Sequence, residues 1–127
     1  MPGPKGRSGC EDLKIVIDGK QYPIVPENNA LAEGIAALCP FSLNMERSDS
    51  HEYYAPLPQR VSTDGAAETS AVKRGGVYYF APWNAFSLVF TDTDIAPYKV
   101  FVIGQAGEAL ASALEQAGNQ LNITIEE

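Results

Sequence analysis

The chain opens on alternation. Leu13, Ile15 and Ile17 are apolar at every second position, set off from Lys14, Val16 and Asp18. A period of two is the mark of a strand with one face against a core. Asp18-Gly19 then offers the two residues of a type I′ turn, so a hairpin is predicted with Lys20 to Val25 as its second arm. Pro23 lies in that arm and has no N–H to give a ladder, which places the arm at an edge or a bulge.

The period lengthens between Asn28 and Cys39. Leu31, Ile35 and Leu38 recur at i, i+4 and i+7, Asn28 or Asn29 can cap the first free N–H groups, and Pro40 ends the pattern. A short helix is predicted whose Leu31, Ile35 and Leu38 face is core. Gly34 inside it costs about 1 kcal/mol of helix propensity, which suggests close packing on a strand.

Phe41 to Glu46 alternates again and reads as a half-buried strand, followed by a polar loop from Arg47 to Glu52. The prolines of Tyr53 to Pro58 argue against both a long helix and a central strand there. After a polar loop over Val61 to Ser70, two aromatic and β-branched runs, Val77 to Ala81 and Phe86 to Thr91, flank Pro82-Trp83-Asn84 and predict a second hairpin. Tyr98 to Ile103 is a further strand ending at Gly104. Glu108 to Ala117 is a short helix with Leu110 and Leu114 one turn apart and Gly118 as its stop, and Leu121 to Ile125 is a last strand. Two short helices among many strands, without βαβ alternation, predict a mainly β fold: a closed barrel of six to eight strands capped by two short helices.

Composition narrows the function. A chain of 127 residues with 45% hydrophobic and 20% charged residues forms one packed domain. Residues 13–127 are assigned to it, and residues 1–12 (MPGPKGRSGCED) to a flexible tail or a remnant of cloning or processing. Nine Lys and Arg against sixteen Asp and Glu give a net charge of -7 without a basic stripe, so nucleic acid and anionic membranes are excluded as partners. The absence of an apolar run of ~18 residues or a signal-peptide core predicts a cytoplasmic protein, with a processed exported form left open. Cys10 and Cys39 make no disulfide framework, and Cys39 is expected to be a buried small hydrophobe.

Four groups of residues resemble one family. They are Pro26-Glu27-Asn28-Asn29 before the first helix, Leu38-Cys39-Pro40-Phe41 followed by Met45, Glu52-Tyr53-Tyr54 followed by Leu57-Pro58, and Gly75-Gly76-Val77-Tyr78-Tyr79 before a Phe/Leu/Val strand. From about Leu13 to Glu126 the chain resembles the prokaryotic cyclophilin-like domain. The resemblance implies a small closed barrel with helices over its ends, no settled activity, and an occasional association with flavodoxin-like redox domains. It also raises peptidyl-prolyl isomerisation. True cyclophilins use a Phe-His-Arg motif whose arginine hydrogen-bonds the twisting imide, and here His51 is followed by Glu52.

Candidate chemistry is sparse. His51, with Asp49 and Glu52, could serve a metal or acid–base site, but one His with loop carboxylates falls short of a ligand set. Asp92-Thr93-Asp94 lacks the glycine and glutamate that complete a calcium loop. Asn122-Ile123-Thr124 matches a glycosylation sequon but falls inside a predicted strand. No nucleophile elbow is present, so no catalytic residue, metal or cofactor is assigned. The aromatics say more. Half should be core by alternation, yet two tyrosines followed by Pro-Leu-Pro predict an open-sided groove. The expected contacts are Glu52, Tyr53 and Tyr54, with Tyr79 or Trp83 from the second hairpin. The leading reading is a binding module for a small molecule, peptide or partner domain. The alternatives are a prolyl isomerase and an accessory domain of a flavodoxin-like protein, with oligomeric state left open.

Overall fold

The computed structural model describes residues 13–48 and 50–127, so Cys10, Asp49 and the tail assignment lie outside the described residues. The elements run β1 (Lys14–Ile17), β2 (Lys20–Pro23), β3 (Val25–Pro26), α1 (Ala30–Leu38), β4 (Phe41–Ser48) and β5 (Glu52–Pro56). Then come β6 (Glu68–Thr69), β7 (Ala71–Val72), β8 (Gly76–Phe80), a 3₁₀ turn (Ala81–Trp83), β9 (Ala85–Val89) and β10 (Thr93–Asp94). The chain finishes with β11 (Val100–Gln105), α2 (Glu108–Gln116) and β12 (Gln120–Glu126).

Nine strands follow one another in the order β2-β1-β12-β4-β5-β9-β8-β11-β3, every pair antiparallel. The two ends of that series belong to one stretch of chain. β2 pairs with β1, Ile24 donates to the Leu13 carbonyl at 2.9 Å, and β3 pairs with β11, so a single divided stave closes the barrel. Pro23 is tolerated because it sits where the stave changes partners. Gly104 is required at the same seam, since a Cβ there would lie 2.5 Å from the Val25 carbonyl oxygen and 2.9 Å from the Pro26 Cα. Closure leaves few free edges for other chains to pair with.

The first hairpin forms as its turn residues dictate, with Asp18 at φ 51° and Gly19 at φ 80°. Leu13, Ile15 and Ile17 are all buried. The strand directions then put the two helices over opposite mouths, α1 between β3 and β4 and α2 between β11 and β12. Asn29 caps α1, its side-chain oxygen accepting from the Ala32 N–H at 2.9 Å. The buried face of α1 is Leu31, Ala32, Ile35 and Ala36. Leu38 is only half-buried, contrary to expectation, because a stripe centred between the Leu31–Ile35 and Ala32–Ala36 rows leaves position 38 at its edge. Gly34 faces the loop rather than a strand: its missing Cβ would meet the Val61 Cβ at 3.3 Å. On α2, Leu110, Ala111 and Leu114 close the other mouth, and the helix gives way at Ala117, one residue before Gly118.

One expectation fails outright. Glu52 to Pro56 is a central strand, paired with β4 on one side and β9 on the other. Proline is accepted because the β4 ladder ends at Tyr54, two residues earlier, so Pro56 faces a partner only across β9. Among the described residues no helix is long and apolar enough to cross a membrane.

Candidate functional site

Four adjacent strands, β5, β9, β8 and β11, have apolar residues on both faces. Inside the barrel they contribute Tyr53, Ala55, Phe86, Leu88, Val77, Tyr79 and Ile103 to the main core. Outside, Tyr78, Val89 and Val100 join Val72 in a second, smaller core, with Phe80, Ile95 and Val102 packed against it. The second core exists because the chain leaves the barrel twice, and the segments β7 and β10 pair with each other. A strand buried on both sides needs a near-continuous apolar run, which Val77 to Phe80 provides and Phe86 to Phe90 provides except at Ser87.

Beside the second core the outer face stays open as a cleft of about 760 Å³. Its depth follows from side-chain size along the strands. In register across the face stand Tyr54, Ser87 and Tyr78, and in the next row Pro56, Ala85 and Phe80. Small Ala85 and Ser87 thus form a floor between aromatic walls. Trp83 and Tyr98 extend the walls at the rim, where they are 66% and 63% exposed. The rings make a connected series, with centroids 6.2 Å apart for Tyr54–Trp83, 5.4 Å for Phe80–Trp83 and 6.2 Å for Phe80–Tyr98. The last two pairs meet edge to face, a favoured aromatic geometry.

The polar end of the cleft is built around Glu52. Its carboxylate accepts a hydrogen bond from the Ser87 hydroxyl, and His51 Nε2 lies 3.7 Å from its other oxygen, outside hydrogen-bond range. The His51 carbonyl accepts from the Phe90 N–H at 2.8 Å, which fixes the backbone beneath the pair. Tyr78 is pinned in its wall, its hydroxyl accepting from the Lys73 N–H at 2.9 Å. Burial is the main cause that raises its pKa, the Lys73 N–H opposing and Asp92 adding. Gly76 has no Cβ for the same reason, because the Tyr78 ring occupies that space at 2.5 Å.

Of the five residues expected in the groove, Glu52, Tyr54 and Trp83 meet in this cleft. Tyr53 and Tyr79 do not: they are 0% and 1% exposed, inside the barrel. The reason is the period of two, which sends neighbours of an extended chain to opposite faces. Both hydroxyls are used structurally. Tyr53 donates to the Gly118 carbonyl at 2.5 Å and accepts from Arg47, which also donates to the Leu114 and Ala117 carbonyls at the end of α2. Tyr79 donates to Asn84 Oδ1 at 2.6 Å, and Asn84 in turn holds Leu57 through N–H···O bonds in both directions. Asn84 sits at φ 51° and closes the turn that displays Trp83, so Tyr79 positions the site from within.

The sequence reading missed Tyr78, Phe80, Ser87, Ile95, Tyr98 and Val100 in the cleft. A signal was present for Tyr78, Phe80 and Ser87, which lie on the faces opposite Tyr79 and Phe86. For Ile95 and Tyr98 there was none, since a loop brings them in. The other candidates serve locally. Asp92 accepts from the Arg74 N–H at 2.7 Å and Asp94 from the Ala96 N–H at 3.0 Å. Among the described residues no three His, Cys, Asp or Glu side chains converge as a metal site. Cys39 is half-buried, and burial, reinforced by Glu127 and Glu126, pushes its thiol up to about 11. It is a protonated thiol at neutral pH, not an activated nucleophile.

A small antiparallel barrel stoppered by two helices is what the resemblance to the cyclophilin-like domain implies. A model of the Cyclophilin-like family matches residues 15–126, and the chain belongs to that family. Among solved structures it is similar to the solution structure of the hypothetical protein AF2241 from Archaeoglobus fulgidus. The two are 21% identical with a TM-score of 0.59, over 90% of this chain and 92% of that one, a likeness of fold. No curated protein matches.

Proposed function

We propose that this domain is a binding module whose ligand sits in the outer-face cleft. The observation that carries the reading is Trp83: a large apolar ring, 66% exposed, held by a hydrogen-bonded turn at the mouth of a concave aromatic site. Exposed apolar surface of that kind, rimmed by polar groups, is what ligand sites present. Tyr54, Phe80 and Tyr98 supply further contact area, and Glu52 with Ser87 supplies orientation.

Prolyl isomerisation receives less support. Lowering a barrier of ~20 kcal/mol needs donors placed around the twisting bond. His51 and Ser87 line the cleft, but no arginine is among its lining residues. Docking onto a flavodoxin-like domain stands as a case of the same reading, with the partner's side chain as the ligand.

Trp83 is the sole tryptophan, which makes it a built-in reporter. A fragment library screened by intrinsic fluorescence and by amide chemical shifts is expected to give hits that move Trp83, Tyr54 and Ser87 together. Loss of those responses in Tyr54→Ala and Trp83→Ala, with the fold intact, supports the cleft. Hits that map elsewhere and survive both substitutions would show that it is the wrong place.

A further inference from the structure

We infer that the cleft selects a small organic cation, a primary ammonium group carried on an apolar body; this rests on the binding reading above and specifies its ligand. The first ground is charge. Among the described residues the carboxylates lining the cleft are Glu52 and Asp94, and no lysine or arginine lines it; the one lining group that can carry positive charge is His51, whose Nε2 lies 3.7 Å from Glu52. Asp94 is exposed and bonded to its own turn, accepting from the Ala96 N–H at 3.0 Å, whereas Glu52 is half-buried at the polar end of the cleft, which makes Glu52 the anchor. Its carboxylate offers about four acceptor positions. Ser87 fills one, and His51 Nε2 at 3.7 Å is too far to fill another. A ligand ammonium, with three N–H donors, matches that remaining capacity.

The second ground is the walls. Ring faces carry negative quadrupole potential, so an aromatic site favours a cation and disfavours an anion. Tyr54 lies two residues along β5 from Glu52 on the same face, about 7 Å away by strand geometry. The aromatic series from Tyr54 through Trp83 and Phe80 to Tyr98 then continues away from the carboxylate. A ligand therefore meets a carboxylate at one end and rings along the rest, the pattern that suits an ammonium head with a short apolar tail. The protein's charge of -7 steers in the same direction.

The test is a matched series titrated at millimolar concentration: 4-phenylbutylamine, 4-phenylbutanol and 4-phenylbutyrate, followed by Trp83 fluorescence and amide shifts. The amine is expected to bind about tenfold tighter than the alcohol, and the carboxylate weakest of the three. Glu52→Gln keeps an oxygen acceptor for Ser87 and is expected to erase the amine's advantage over the alcohol. Glu33→Gln, an exposed acid on α1, is expected to change nothing. Equal binding of all three, or preference for the carboxylate, would overturn the cation inference yet leave the cleft as the binding site. An amine response that persists in Glu52→Gln would overturn the anchor role. If no member of the series binds, the cation inference fails, and only the fragment screen then decides the cleft itself.

Discussion

The two faces of β5, β9, β8 and β11 are made of the same residue types and do different things. On the inner face Tyr53, Tyr79 and Phe86 are buried to within 1%, and each tyrosine hydroxyl is hydrogen-bonded. On the outer face Tyr54, Phe80 and Trp83 pack against one another, yet leave about 760 Å³ of open cleft. Residue chemistry alone does not separate core from site. What separates them is closure: the inner face is sealed by the seam stave and both helices, whereas the outer face is only half covered by the β7–β10 ribbon.

The contrast is sharpest at Phe86. Replacing it with Ala empties the barrel centre and should cost about 3 to 5 kcal/mol, read from urea unfolding. A loss below roughly 1 kcal/mol would mean that the barrel interior is as loosely packed as the cleft. Tyr79→Phe is the intermediate case, since it keeps the ring and removes one buried hydrogen bond to Asn84. About 1 kcal/mol of stability should go, together with a change in Trp83 fluorescence as its turn loosens. Unchanged fluorescence would show that the interior does not position the rim.

A third prediction concerns the charged clasp at the α2 mouth. Arg74 bonds Glu108 at 2.6 and 2.8 Å and reaches Glu115, and the first of these bonds holds the Glu108 carboxyl down at about 2. A carboxylate depressed in the folded state stabilises above its ordinary pKa of 4.5 and ceases to do so as pH falls through about 2. Arg74→Met should therefore flatten the stability-versus-pH curve between about 4.5 and 2, with a modest loss at pH 7 that salt reduces. An unaltered acid limb would remove this clasp from the closure of the barrel. The smallest stability effect is expected from Trp83→Ala, within about 0.5 kcal/mol, as for a surface change. That substitution should instead abolish ligand responses, so a large unfolding effect would make Trp83 part of the packing and break the comparison.

Legibility along the chain follows the range of the physics involved. The first hairpin, a cap at Asn28 or Asn29 and the alternation of β1 and β12 rest on neighbours in sequence, and local pattern was enough for them. The family resemblance, carried by short runs such as Glu52-Tyr53-Tyr54, likewise reached the barrel. Glu52, Tyr54 and Trp83 could be named because a charge and two aromatics beside prolines stood out, but their fellows Tyr53 and Tyr79 had identical credentials. In an extended chain a side chain's face depends on which residue of the pair starts the alternation, and only the register with β4 and β9 supplies that. Pro56 misled for a similar reason. Its lack of an N–H matters only if a partner strand waits there, and β4 has already parted from β5.

By itself, then, the sequence pointed to a closed β-rich domain of the cyclophilin-like family, an asparagine cap for α1, the turn at Asp18-Gly19 and an acidic, aromatic character. The turn, the cap and the strand-rich acidic character follow from backbone conformational preference, periodicity and composition, all properties of short segments, whereas the family came from the resemblance of four short runs. The tertiary structure alone decided that residues 93–98 lie over the outer wall, that Ala85 and Ser87 become the floor of a cleft, and that Ser87 and His51 converge on Glu52. Such features join side chains some 35 residues apart through strand pairing. No local rule fixes which outer faces end up side by side until the barrel has closed.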